Sequence, residues 1–63
     1  MESLKLLANY CSDVMIRYPE LRDDVEDFYQ LCLDEIEQGG SVSHEIELCM
    51  GSIEEAIEDY ENI

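Results

Sequence analysis

Basic residues are nearly missing from this chain, and after Arg22 there are none. Its 63 residues include three Lys and Arg against seventeen Asp and Glu, for a formal net charge of -14 at pH 7. Direct binding of nucleic acid depends on Lys and Arg, because these residues neutralise phosphates and release counterions. We therefore expect no direct nucleic-acid binding, and the charge favours a partner of opposite sign.

The residues of common catalytic and metal sites are also scarce. His44 is the single histidine, and Cys11, Cys32 and Cys49 contain no C-x-x-C pair. Zinc ligands normally come in close pairs, so we interpret the cysteines as core residues and not as a zinc site completed by His44. Surrounding negative charge also disfavours the thiolate that a cysteine nucleophile requires. We expect no enzymatic activity and no cofactor.

The acidic clusters lack the spacing of known metal sites. A calcium loop of the EF-hand type needs alternate oxygen ligands, a central glycine and a distal glutamate within twelve residues. The clusters 23–27, 34–37 and 54–59 do not provide this pattern. A di-iron bundle needs Glu-x-x-His on two helices, whereas this chain has one reversed string from His44 to Glu47. Solvated helix faces are the expected interpretation, and loose binding of divalent ions is the alternative for these clusters. For the function as a whole, a small metal-dependent enzyme stays an alternative.

Long apolar runs are absent, since Asn9, Ser12, Asp13 and Arg17 interrupt the first segment. Neither a signal peptide nor a membrane span fits this pattern. Without an export signal we expect a reducing cytoplasm, which would be the host cytoplasm for a viral protein, and no disulfides.

Apolar residues nevertheless make up 46% of the chain, which is too many for a disordered acidic tail. Pro19 ends one helical segment and opens the next, and Gly39 and Gly40 end the second. Ser41 and Ser43 are alternative N-caps for the third. The sequence predicts a single all-α domain, residues 1–63, a small three-helix bundle with helices at about 2–18, 20–38 and 43–61.

Apolar residues recur three and four positions apart in each segment, which is typical of one buried helix stripe. The stripes are Leu4, Leu7, Cys11, Val14, Met15 and Tyr18; Leu21, Val25, Phe28, Cys32 and Ile36; and Ile46, Cys49, Met50, Ile53, Ala56, Ile57 and Tyr60. Leu7, Phe28 and Ile53 are predicted to be the central core residues.

Other apolar residues lie off the stripes. Leu6, Tyr10, Tyr29, Leu31, Leu33 and Leu48 are too many for so small a core. They are either scattered exposed side chains or a contiguous patch. We expect an apolar interface around Leu6, Tyr10 and Leu33, used in a homodimer or in partner binding.

The predicted partner-binding face is acidic and consists of Glu54, Glu55, Glu58 and Asp59, since no cation lies near them in sequence. The expected function is non-catalytic binding of a basic protein, such as one that itself binds nucleic acid. Alternatives are an inhibitor that mimics the phosphate track of DNA, and a self-associating protein of unknown role.

The segment Asp27 to Glu55, DFYQLCLDEIEQGGSVSHEIELCMGSIEE, covers about half the chain and resembles segments of small acidic helical proteins of tailed phages. This resemblance implies an accessory protein that acts on a host protein. It implies no particular site residues.

Overall fold

The computed structural model describes the backbone of residues 2–62 and the side chains of residues 3–62. Three α-helices form a bundle: α1 (Glu2–Arg17), α2 (Arg22–Glu37) and α3 (Val42–Glu61). The described residues contain no strand. The predicted all-α three-helix fold is thus confirmed, while the end residues of the predicted 1–63 domain, Met1 and Ile63, lie outside the described residues.

The boundary between the first two helices differs from the predicted one. Tyr18 leaves the helix, and Pro19–Leu21 forms a 3-10 turn before α2 begins at Arg22. Proline disfavours the helical conformation in the residue before it, which explains why Tyr18 has φ -128° and ψ 74° and is not helical. The Tyr18 ring then packs edge-on against Tyr60, with ring centroids 5.8 Å apart, so the α1–α2 corner contacts the end of α3.

The core contains Leu7, Cys11, Val14, Leu21, Val25, Cys32, Cys49 and Ile53, all buried. Each helix contributes one cysteine, as the stripes predicted. Leu7, Val25 and Ile53 are the largest fully buried side chains. Phe28 is not among the fully buried side chains, because it lies partly buried at the edge between α2 and α3. The prediction that Phe28 is a central core residue is therefore wrong.

Helix α2 ends in a Schellman motif. The Gly40 amide donates to the Glu35 carbonyl at 2.9 Å, and the Gly39 amide donates to the Ile36 carbonyl at 3.0 Å. Gly39 has φ +102°, which favours glycine, and a Cβ on Gly40 would lie 2.8 Å from the Glu35 carbonyl oxygen. Helix α3 then begins with Ser41, and not Ser43, as the N-cap. The Ser41 hydroxyl accepts from the His44 amide at 3.5 Å.

Replacing Gly39 with alanine should lower the free energy of unfolding by about 1–3 kcal/mol, because alanine is strained at this φ. The matched control is Gly51→Ala in α3, where nothing lies within 4 Å of the new Cβ. That change should stabilise the protein by about 0.5–1 kcal/mol, since alanine is the better helix former. Urea unfolding followed by circular dichroism measures both. Equal effects of the two substitutions would show that the α2–α3 turn does not need a left-handed residue.

Candidate protein-binding surface

An open groove runs between α2 and α3. Its wider part encloses about 440 Å³ and continues into a shallower part of about 310 Å³. The wider part is lined by Phe28, Leu31, Cys32, Glu35, Glu45, Leu48, Cys49 and Ser52, and the shallower part by Phe28, Ser52, Glu55, Ala56 and Asp59. We call the two parts together the α2–α3 groove.

The local sequence explains the apolar part of the groove lining. Phe28 and Leu31 stand three residues apart on α2, and Leu48 and Ser52 stand four apart on α3, so each pair lies along one edge of its helix. These edges meet because the short connection 38–41 turns α3 back along α2. Leu31 and Leu48 are 60% and 53% exposed, so both lie open at the surface. Beneath them Cys32 and Cys49 are buried.

The charged residues that line the groove are all acidic. Glu35 and Glu45 stand near the α2–α3 turn, and Glu55 and Asp59 line the opposite, shallower end. The two ion pairs of the described residues lie elsewhere: Arg17 pairs with Asp13 at 3.9 Å and Arg22 with Glu26 at 3.2 Å. Both pairs are exposed and each is worth less than about 1 kcal/mol. Negative charge at the groove therefore has no lining cation to balance it.

The four residues of the predicted acidic face are all exposed, but they divide between two edges of α3. Glu55 and Asp59 line the groove. Glu54 instead lies near Tyr10 of α1, where burial of the phenol and, after it, the charge of Glu54 raise the pKa of Tyr10. Glu58, one turn beyond Glu54, shares that edge. Only half of the predicted face thus belongs to the groove.

The predicted apolar interface is less open than its residue types suggested. Leu6 is 68% exposed, whereas Tyr10 and Leu33 are half-buried, and Tyr10 packs against the core. The larger exposed apolar residues besides Leu6 are Ile16, Leu31 and Leu48. The sequence identified Leu31 and Leu48 as lying off the stripes but did not predict that both line one groove. Each directly precedes the core cysteine of its helix, but no signal within a single helix shows that both border one groove.

The three thiols meet in the core around Cys49. Burial raises the pKa of Cys49 to about 12, and the neighbouring Cys11 and Cys32 thiols add to this rise. Burial also raises the pKa of Cys11 and of Cys32. These thiols are therefore protonated at neutral pH, and a protonated thiol is a poor nucleophile.

In the part of the chain that the structure describes, no group of three or more His, Cys, Asp or Glu residues is arranged to hold a metal ion. His44 is exposed near the start of α3, whereas the three cysteines are buried. Over residues 2–62 no helix has the length and apolar character needed to cross a membrane.

No family model, curated protein or solved structure matches this chain. The resemblance to phage proteins therefore stays a prediction.

Proposed function

We propose that this chain is a non-catalytic binding module for a basic protein and that the acidic side of α2 and α3 makes the contact. The observation that carries the proposal is the lining of the α2–α3 groove, in which every charged residue is acidic. A surface of one sign speeds encounter with a partner of the opposite sign and repels partners of like sign. The cytoplasm, including that of a phage-infected host, is the proposed compartment.

The acidic pairs of α3 have no Lys or Arg in the same helix to balance their charge, and this supports a role in binding. Glu55 and Asp59 stand four residues apart on α3, and so do Glu54 and Glu58. Like charges at this spacing destabilise a helix by about 0.2–0.5 kcal/mol per pair. A basic partner would offset this cost. The protonated core thiols support the non-catalytic part of the proposal, because they leave no reactive cysteine at neutral pH.

The test is affinity capture from cytoplasmic extract with mass spectrometric identification. The parent chain should retain a basic protein at low salt and lose it as salt rises, since screening sets in beyond about 8 Å at physiological ionic strength. The double reversal Glu55→Lys with Asp59→Lys should weaken this capture about tenfold or more. Both side chains are exposed, so the helical fold should persist by circular dichroism.

A charge-matched control distinguishes the effect of the acids in the groove from the effect of the net charge of the chain. Asp23→Lys with Glu37→Lys makes the same change in charge at exposed positions of α2 outside the groove lining. It should weaken capture much less than the α3 reversal. Equal losses would mean that only total charge matters, and capture that ignores salt and both reversals would contradict the proposal. Displacement of the partner by duplex DNA would instead favour the DNA-mimic alternative.

A further inference from the structure

We propose that the α2–α3 groove binds a cationic amphipathic helix, whose apolar side chains lie between Leu31 and Leu48 and whose Lys or Arg residues pair with the acids at both ends. This inference rests on the proposed function and adds the kind of element that the basic partner presents. It is a helix and not an extended or disordered polycation.

The shape of the groove favours a helix as the occupant. A furrow between two packed helices accepts a third helix that lies along it, with anchors at i, i+3, i+4 and i+7. Helix α1 takes this role on one side of the α2–α3 pair, where Leu7, Cys11 and Val14 are buried. On the other side, Leu31 and Leu48 remain more than half exposed above the buried Cys32 and Cys49. The open side thus has an apolar floor and two apolar walls.

The charges at the groove ends favour a basic occupant and give its length. Glu45 and Glu55 are ten residues apart on α3, which is about 15 Å along the helix axis. A partner helix of about three turns would therefore place Lys or Arg residues opposite both ends while its middle covers Leu31 and Leu48.

A second copy of this chain is a poor occupant of the groove because its charge has the wrong sign. Each copy carries a net charge of -14, and a dimer formed through this groove would bring like-charged ends together. A second copy could offer Glu35 or Glu55 only one basic residue from α2, Arg22, which already pairs with Glu26, and none from α3.

The probe is a 14-residue peptide of Leu and Lys with Leu at i, i+3, i+4 and i+7, compared with a peptide of the same composition in an order that is not amphipathic. Calorimetry should give at least about tenfold tighter binding of the amphipathic peptide, since only its helix can bury Leu against the groove. Backbone amide chemical-shift changes should centre on Leu31, Leu48 and Ser52.

Two double variants separate the groove from other exposed apolar surface. Leu31→Ser with Leu48→Ser should weaken binding of the amphipathic peptide by about tenfold or more. Leu6→Ser with Ile16→Ser removes exposed apolar residues of α1 and should change the affinity by less than about twofold. The four positions are more than half exposed, so thermal melting should show both variants folded.

The outcomes distinguish this inference from the proposed function. Equal, salt-sensitive binding of both peptides would overturn the helix-in-groove inference and leave the basic-partner proposal standing. Binding of neither peptide at low salt would contradict both. Sedimentation that shows a dimer of the parent chain and a monomer of Leu31→Ser with Leu48→Ser would assign the groove to a second copy and overturn the inference.

Discussion

Replacing Ile53 with alanine is expected to lower the free energy of unfolding by about 2–5 kcal/mol. Ile53 is 0% exposed and belongs to the cluster formed by all three helices. The truncated side chain loses burial energy and leaves a cavity that the neighbours fill only in part. A single domain of this size has a stability of only a few kcal/mol, so much of the variant should be unfolded at 25 °C. Urea unfolding followed by circular dichroism measures the change.

Two comparisons make this result specific to the core. Ile16→Ala on α1 removes an isoleucine that is 75% exposed, and it should change stability by no more than about 0.5 kcal/mol. Phe28→Ala should cost less than Ile53→Ala despite the larger side chain, because Phe28 is partly open to the groove. A Phe28→Ala loss that exceeds the Ile53→Ala loss would mean that Phe28 belongs to the central core after all.

Alkaline pH is expected to unfold the protein through its core thiols. The pKa of Cys49 rises from an ordinary 9.0 to about 12 on folding, because burial disfavours the thiolate. The folded state therefore holds its proton at pH values where the unfolded state has released it. This stability is fully present below pH 9 and is lost as pH rises toward 12, by at most about 1.4 kcal/mol per pH unit for this group. The raised pKa values of Cys11 and Cys32 act in the same direction.

Urea unfolding at pH 7.5, 9.0 and 10.5 with a reductant present would show this loss. Cys49→Ala removes the most strongly shifted group, so its stability should fall less steeply over the same interval. Ile53→Val is the matched control, because it loosens the same core without removing a titratable group, and its pH slope should equal that of the parent chain. An identical pH slope for the parent chain and Cys49→Ala would refute the role of the buried thiol.

The helices and most of the core were predictable from sequence because they depend on local spacing. Apolar residues three and four apart place Leu7, Cys11 and Val14 on one face of a helix whatever surrounds it. Pro19 and Gly39 act within a turn of their own positions, so the helix ends could also be read to within about two residues. One cysteine per helix in the core follows from the same periodicity.

The groove was not predictable in this way because it depends on three helices at once. The stripe positions of α2 are equivalent in sequence, but α1 covers only one side of the α2–α3 pair. Phe28 falls at the open edge, whereas Val25, one turn earlier, is fully buried. The same geometry divides the predicted acidic face, with Glu55 at the groove and Glu54 near Tyr10. Spacing along one helix cannot determine which edge a neighbouring helix leaves uncovered.

The association rate constant of the captured basic partner, measured by stopped flow across a range of salt concentrations, tests the proposed electrostatic recognition most directly. For the parent chain this rate constant should fall steeply as salt rises, and Glu55→Lys with Asp59→Lys should lower both the rate constant and its salt dependence. Asp23→Lys with Glu37→Lys should leave most of both intact. Rate constants that are independent of salt and equal for the parent chain and the α3 reversal would contradict recognition through the acidic groove.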